Sequence, residues 1–281
     1  MNGCTVKHKL KTPKHQVFHT DLSNGRWYYP QGCEGENKWY VPSVTTVLNV
    51  LSKPGIADWK AKMGQWHQVI SSGKAFRGTL VHHFCEELIY GKIIAEQDIY
   101  DYIEKSNNNM WPLIWTAPSL VYSTRQFLRG FVKFWKEWDP VPVAVEYPLY
   151  HEGIPYAGRT DMILMMKDKK GVPFRCILDI KTGFASPYFV LQNTAYKNIW
   201  DAIYPNEPIT HIGCLYLKDT FRTEKGMYTI KVEKPNLKAF ESAFEMWKWN
   251  NTSARGAHPS PRFKDPPPKS FSLYEEKDEV N

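Results

Sequence analysis

The hydrophobic pattern of this chain changes its period at Pro140. Before that residue, apolar residues recur at the three- and four-residue spacing of amphipathic helices. After it, three apolar runs separated by turn residues are typical of strands, at residues 141–150, 156–166 and 172–181. A helical pattern follows at residues 187–203. This order of elements predicts an α/β fold, with a central mixed β-sheet flanked by helices and a helical N-terminal region.

Turn and cap signals predict further elements. The pair Asn24-Gly25 between two β-prone runs favours a β-hairpin. Ser43 precedes an apolar run and is a typical helix N-cap. Residues 56–104 have a helical pattern, with breaks predicted at residues 71–73 and at Gly91. The remaining elements are helices at residues 119–138 and 235–249 and strands at residues 209–217 and 227–232.

Composition excludes several classes of protein. The 11 Trp, 16 Tyr and 14 Phe argue against disorder over most of the 281 residues. The most apolar stretch, residues 177–191, is interrupted by charges and falls short of the roughly 18 residues of a membrane span. The N-terminus has no secretory pattern, so we expect a cytoplasmic protein with no membrane partner. Five scattered cysteines, with no C-x-x-C pair, indicate reduced thiols rather than a disulfide framework or structural zinc.

The charge distribution suggests a polyanionic partner. The 36 Lys and Arg outnumber the 29 Asp and Glu, for a net charge of +7. Four lysines and no acid lie in the first twenty residues, which form either a solvated end or an arm that touches phosphates. We therefore divide the chain into a basic arm with a hairpin (1–40), a central domain (41–250) and a Pro-rich tail expected to be disordered (251–281). The central domain consists of a helical front (41–139) and an α/β core (140–250).

Two short motifs on the predicted strands carry the chemistry. Gly158-Arg-Thr-Asp161 lies in the second strand, and Asp179-Ile-Lys181 ends the third. Adjacent antiparallel strands can bring Asp161 and Asp179 together, and Asp179 and Lys181 share a strand face. Burying these charges is costly unless a divalent cation such as Mg²⁺ or Mn²⁺ neutralises the acids. Asp-x-Lys alone also occurs as a surface ion pair, so the motif needs its context.

Three further features supply that context, and each also has an ordinary structural explanation. His82, four residues after Gly78 on a predicted helix, is either a metal ligand or a half-buried helical histidine. Glu146 is a glutamate in an apolar strand, and metal binding would explain why a charged residue lies there. Gln192 and Tyr196 share a helix face, and can bond or stack on a nucleic acid.

In this order the motifs resemble the RecB-like branch of the PD-(D/E)XK nuclease superfamily. The set consists of a helical Gly-x-x-x-His, a strand Glu, Gly-x-x-Asp, Asp-x-Lys and a helical Gln-x-x-x-Tyr. Residues 41–48, then Trp59 and Gly78-Thr79, look like the front end of phage-type and mitochondrial genome-maintenance exonucleases of that branch. The resemblance covers about residues 41–217 and implies a restriction-endonuclease-like core.

The resemblance also implies a role for each matching residue. The metal ligands would be His82, Asp161, Asp179 and the backbone carbonyl of Ile180. Lys181 would be catalytic, with Asp161, Asp179 and the less certain Glu146 beside it. DNA contacts are expected from Gln192, Tyr196, Arg159, Gly78 and Thr79. No iron–sulfur cluster is expected, because the C-terminal cysteine group of the cluster-bearing relatives is absent.

These implications predict a Mg²⁺- or Mn²⁺-dependent DNA exonuclease acting on single-stranded or linear ends. If the protein is viral, its compartment would be the host cytoplasm, and its partners would be replication or recombination proteins. One alternative is a structure-selective or nicking endonuclease with the same site. Another is a DNA-binding module that has lost catalysis. A metal hydrolase of small phosphate esters also fits the carboxylates, but it leaves the basic arm unexplained.

Overall fold

The structure is a computed structural model and describes residues 10–22, 25–31, 40–51, 56–106 and 116–252. It contains a five-stranded sheet with helices on both faces and a separate three-stranded sheet. The small sheet consists of β1 (Val17–Leu22), β2 (Gly25–Pro30) and β3 (Val41–Pro42). The large sheet consists of β4 (Val141–Leu149), β5 (Gly158–Lys167), β6 (Pro173–Lys181), β7 (His211–Leu217) and β8 (Tyr228–Glu233).

The helices precede, connect and follow the strands of the large sheet. They are α1 (Val44–Leu48), α2 (Ile56–Met63), α3 (Trp66–Ile89), α4 (Glu96–Lys105), α5 (Ala117–Trp138), α6 (Tyr188–Ile203) and α7 (Leu237–Thr252). None of the helices in the described residues is long and apolar enough to cross a bilayer.

The large sheet has the order β4-β5-β6-β7-β8 and is mixed. Strands β4, β5 and β6 form an antiparallel meander, β6 and β7 are parallel, and β8 returns antiparallel to β7. A parallel pair needs a crossover connection, and α6 provides it between β6 and β7. The predicted α/β fold with a central mixed sheet is therefore confirmed.

Each face of the large sheet has its own core. Alternate side chains of β5 and β6 face opposite sides, so Met162 and Leu178 pack with α3 and α5, whereas Ile163 and Ile177 pack with α6 and α7. The aromatic stripe predicted on α5 is core, since Phe127, Phe131 and Phe134 are buried. These two layers fix α3 and α6 on opposite faces of β5 and β6, where the charged motifs lie.

The small sheet packs against the large one. β2 pairs with β3, and Ser43 bridges to Ala157 just before β5. Trp27 of β2 is buried against Trp247 of α7, with ring centroids 5.9 Å apart. Ser43 caps α1 as predicted, because its Oγ accepts a hydrogen bond of 2.9 Å from the Thr46 N–H.

One helix boundary is wrong in the sequence prediction. Residues 71–73 lie inside α3, where Gly73 is buried, and the helical pattern breaks instead at Gly64, whose φ is 52°. A glycine inside a helix costs only about 1 kcal/mol, so tertiary packing overrides it. The break at Gly91 is confirmed, with a φ of 83° that favours glycine.

Part of the basic arm is bound to the rest of the protein. Lys11 forms an ion pair with Glu207 at 2.7 Å, and Lys14 Nζ donates to the carbonyl of Ile203 at 2.6 Å. Both amino groups also lie over the ring of Tyr204. These two lysines are therefore held by the protein rather than presented to a phosphate. Residues 1–9 of the arm and 253–281 of the predicted tail lie outside the described residues.

Candidate metal centre

Three side chains from three elements converge beside the end of the meander. His82 comes from α3, Glu146 from β4 and Asp161 from β5. One ligand atom of each lies within 4.8 Å of the others, and this is the one such group of histidine and acidic residues in the described residues. The Nδ1 atom of His82 lies 3.4 Å from Oδ2 of Asp161. All three side chains are half-buried, which leaves them open to an ion from the cleft.

Asp161 occupies a gap in the sheet. The β5–β6 ladder ends at the pair Met162 and Leu178, although β6 continues to Lys181. Beyond that pair, the Ile180 N–H donates to Oδ2 of Asp161 at 2.6 Å. The carboxylate thus replaces the strand carbonyl that a continued ladder would supply. This bond fixes the position of Asp161 relative to β6.

Glu146 adopts a left-handed backbone conformation, with a φ of 45° in the middle of a strand. Such a conformation costs about 1–3 kcal/mol for a non-glycine residue and clusters at functional sites. Ala144 and Tyr147, three residues apart, pack in the same core cluster, which a regular strand forbids. The irregularity lies where the β4–β5 register brings Glu146 opposite Asp161.

Asp179 and Lys181 form the second part of the site. Their side chains make an ion pair, and Lys181 Nζ lies 4.4 Å from the ring centre of Phe189 on α6. They therefore share the face of β6 that carries α6, as the two-residue spacing predicts. Asp179 is buried, with only 1% of its surface exposed. It lies outside the group of three, so the ligand role predicted for it stays a prediction.

The electrostatics of the site favour a bound cation. Burial and the charge of Asp161 raise the pKa of Glu146 to about 7. Burial and the same charge raise the pKa of Asp179 to about 7. Burial raises the pKa of Asp161, but the charge and hydrogen bond of His82 together with the Lys181 charge outweigh burial and hold it well below its usual range. Three carboxyls in one half-buried site repel one another, and a divalent cation would relieve that repulsion.

His82 and Lys181 supply the positive charge that offsets these carboxyls. Burial lowers the pKa of His82, but the charge and hydrogen bond of Asp161 together with the charge of Asp179 raise it to about 9. Burial likewise lowers the pKa of Lys181, whereas Asp179 and Asp161 raise it above its ordinary value. Lys181 is therefore a charged hydrogen-bond donor at neutral pH rather than a general base.

The predicted Gln192–Tyr196 pair lies on α6 beneath the site. Both side chains are buried, and the Gln192 amide donates to the Tyr196 hydroxyl at 3.2 Å. The Tyr196 ring packs on Gly158, where an added Cβ would lie 2.4 Å from Cε1 of the ring. Glycine at the first position of Gly-x-x-Asp is therefore required by the ring. The DNA contact predicted for Gln192 and Tyr196 stays a prediction.

A polar cleft of about 660 Å³ opens above the three converging side chains. Gly78 and Thr79 of α3 line it, as does the exposed Arg159, whose guanidinium lies 3.9 Å from Glu146. An added Cβ on Gly78 would lie 3.7 Å from Thr182 Oγ1, so packing does not demand glycine there. The prediction that Gly78 allows a close approach fits its place in the cleft wall.

Sequence reasoning missed several residues of this cleft. Arg26 and Tyr28 of β2 line it, and so does Glu86, one helical turn after His82. The hairpin had been predicted, but nothing in its sequence indicates which surface it joins. Glu86 shares the helix face of His82 and Gly78, as the four-residue spacing predicts, although no motif of the set includes it. His83 is not a member of the group of three; it lines the same cleft and stacks on Tyr102, with ring centroids 4.3 Å apart.

The donor set suits a small divalent cation. Mg²⁺ prefers oxygen ligands, and imidazole with carboxylate also suits Mn²⁺. Ligands of one octahedral ion with bonds of about 2.1 Å lie roughly 3–4 Å apart. The three ligand atoms of this site, within 4.8 Å of one another, could reach such positions with side-chain movements of about 1 Å. The residues present therefore fit the cation that their chemistry implies.

Comparison with known proteins adds little to this geometry. No protein-family model and no curated protein matches the chain. A solved structure described as "Crystal structure of SSO0001" is similar with a TM-score of 0.29 and 13% identity. The similarity covers 66% of this chain and 88% of that chain. At this TM-score the likeness supports no conclusion about function.

Proposed function

We propose that this protein is a divalent-metal-dependent DNA nuclease of the RecB-like PD-(D/E)XK type, which degrades DNA from its ends. The observation that supports the proposal is the convergence of His82, Glu146 and Asp161 beside the Asp179–Lys181 ion pair. Four elements bring these groups together: His82, Glu146 and Asp161 line one polar cleft, and the Asp179–Lys181 pair lies next to Asp161. Each of these residues belongs to the ordered motif set from which the resemblance was inferred.

Each residue of the site would have its own role in catalysis. A bound Mg²⁺ or Mn²⁺ would offset phosphate charge and supply an acidified water. His82, Glu146 and Asp161 would hold it, and the Ile180 N–H keeps Asp161 in place. Lys181, charged and oriented by Asp179, would donate a hydrogen bond to a non-bridging phosphate oxygen as negative charge develops there.

The shape of the site favours a polymer over a small phosphate ester. The cleft of about 660 Å³ is formed by α3, the small sheet and the ends of β4 and β5. Arg159 lines it beside Glu146, and Arg26, which is paired with Asp21, lies in its wall; guanidinium groups suit phosphates. A small ester would leave most of this volume unused. The choice of ends over internal bonds rests on the family resemblance.

The direct test is a cleavage assay. End-labelled linear single- and double-stranded DNA, with a circular control, is incubated with Mg²⁺ or Mn²⁺ or with EDTA. We expect only linear DNA to be degraded, EDTA to abolish the reaction, and Lys181→Ala to slow it by about 10²-fold or more. The matched control is Lys197→Ala, which removes another lysine paired with an aspartate, Asp201, on α6 away from the cleft.

Each other outcome identifies an alternative. Cleavage of the circular DNA would show that the protein is an endonuclease with the same site rather than an exonuclease. If the protein binds DNA but does not cut it with either metal ion, the catalytic proposal is overturned in favour of a binding module. Equal loss of activity in Lys181→Ala and Lys197→Ala would show that Lys181 has no special role.

A further inference from the structure

One aromatic side chain beside the site has no structural role in the described residues. Phe184 is 94% exposed, whereas the other exposed aromatic side chains there are at most 65% exposed. A single exposed apolar residue is common on protein surfaces and needs no explanation by itself. The exposure of Phe184 is unusual because a full phenyl ring is left in water three residues after Lys181.

The loop that carries Phe184 is anchored at both ends. Residues 182–187 connect β6 to α6. Thr182 at its start lies against Gly78, which lines the cleft. At its far end the Tyr188 hydroxyl donates to the carbonyl of Thr45 at 3.1 Å, and Phe189 lies under Lys181. Phe184 is therefore presented by a short segment whose two ends belong to the site.

The reach of the chain places the ring near the reacting phosphate. A trans peptide spans at most about 3.6 Å per residue, so Cα of Phe184 lies within about 11 Å of Cα of Lys181. Successive nucleotides of one strand are about 3.4 Å apart along a duplex axis. The Lys181 and Phe184 side chains add several ångströms at each end, so the ring lies within a few nucleotides of a phosphate bound at Lys181.

The residues around Phe184 suit a flat, uncharged partner. Residues 182–187 carry no charge, so they neither attract nor repel a phosphate directly. The neighbours of Phe184 are the small residues Gly183 and Ala185, which add little apolar area for docking a protein. An accessible aromatic ring can stack on an unpaired nucleobase, whose face is also flat and uncharged.

We propose that Phe184 stacks on a nucleobase one to three nucleotides from the scissile phosphate and thereby favours unpaired strands. This inference rests on the proposed nuclease function and adds a binding residue that the motif set does not contain. Because a base inside a duplex is already stacked on its neighbours, the contact is available only where the strand is unpaired or its end is frayed.

The test combines a truncation with a base deletion. Kinetics are measured on single-stranded oligonucleotides that carry one abasic nucleotide at successive positions. In the wild type, we expect one or two adjacent abasic positions to raise KM about tenfold, the size typical of one lost stack. Phe184→Ala should raise KM about tenfold on intact DNA and abolish this position dependence. Phe184→Trp should restore both.

Controls separate stacking from other causes. Tyr122→Ala removes another exposed aromatic, 63% exposed on α5, and should leave KM unchanged. Because Phe184 is in solvent, Phe184→Ala should melt at the wild-type temperature. An unchanged KM in Phe184→Ala, or the same abasic profile in both proteins, would overturn the inference while leaving the nuclease in place.

If the protein does not cut DNA, stacking by Phe184 can still be tested through DNA binding. Fluorescence anisotropy with the same oligonucleotides then measures Kd. Binding that weakens about tenfold in Phe184→Ala, with loss of the abasic profile, would support stacking in a binding module. Binding that Phe184→Ala leaves unchanged would reject stacking alone. A wild type that neither cuts nor binds would reject both the inference and the proposed function.

Discussion

The contact between Gly158 and Tyr196 makes a quantitative prediction about the Gly-x-x-Asp motif. An alanine Cβ at Gly158 would lie 2.4 Å from Cε1 of the Tyr196 ring and 3.2 Å from Cζ. Ordinary carbon contacts are about 3.5–4.0 Å, so the ring would have to move by more than about 1 Å. The ring is buried and bonded to Gln192, so it has little room to move.

We expect Gly158→Ala to lower the free energy of unfolding by about 1–3 kcal/mol, the usual cost of overpacking. For a protein of this size that corresponds to a fall in Tm of roughly 2–10 °C. Thermal melts followed by circular dichroism measure it. Gly183→Ala is the matched control, because nothing lies within 4 Å of its added Cβ, and it should change stability by less than about 0.5 kcal/mol.

A double-mutant cycle isolates the contact. In a Tyr196→Leu background the ring is absent, so Gly158→Ala should become neutral or stabilise the protein by up to about 1 kcal/mol. The gain arises because alanine restricts the unfolded chain more than glycine does. An equal destabilisation by Gly158→Ala in both backgrounds would refute the explanation, since the cost would then have a source other than Tyr196.

Three further predictions concern metal binding, an ion pair and a helical glycine. Burial lowers the pKa of His82, but the neighbouring carboxylates raise it to about 9, so His82 is protonated at neutral pH. Mn²⁺ binding should therefore displace the proton of His82, and the affinity for Mn²⁺ should rise with pH. Calorimetry at pH 7.5 in buffers of different ionisation enthalpy should detect about one proton released per ion, and no release would contradict this. Glu207→Gln should cost less than about 1 kcal/mol at pH 7, because Glu207 is partly exposed in its pairs with Lys11 and Arg175. The hydrogen bond from Lys11 lowers the pKa of Glu207, so its stabilisation is complete above the ordinary carboxyl pKa and is lost as the pH falls through the lowered value. In urea titrations the difference between wild type and variant should therefore be full at pH 7 and should shrink as the pH falls below the ordinary carboxyl pKa. Gly130→Ala should destabilise the protein although alanine is the better helix former, because its Cβ would lie 2.7 Å from the carbonyl oxygen of Met227, and a raised Tm would contradict this.

Local signals in the sequence account for most of the fold. The β1–β2 hairpin, the Ser43 cap and the strand alternation after Pro140 each depend on a few neighbouring residues, and each prediction matches the structure. The predicted break at residues 71–73 is wrong because tertiary packing, rather than the neighbouring residues, decides the conformation there. Serine and glycine are poor helix formers, but the packing of α3 on α5 and the sheet holds them in the helix.

The candidate site was only partly predictable. Strand spacing placed Asp179 and Lys181 on one face and brought Asp161 beside them, which the structure agrees with. The proximity of His82 to Asp161 came from the family resemblance, since no local pattern links a helix to a strand nearly eighty residues away. The left-handed conformation of Glu146 and the entry of Arg26 into the cleft depend on tertiary packing, which residue patterns do not encode.

The account depends most on a cation held between His82, Glu146 and Asp161. Anomalous diffraction at the manganese edge, from crystals of the full chain soaked in Mn²⁺, locates that ion directly. We predict one peak within about 2.3 Å of a ligand atom of each of the three residues, and its loss in crystals of Glu146→Ala. Ordered crystals with no peak there at saturating Mn²⁺, and His82 still paired with Asp161, would contradict the account and leave the cluster as a buried ion pair.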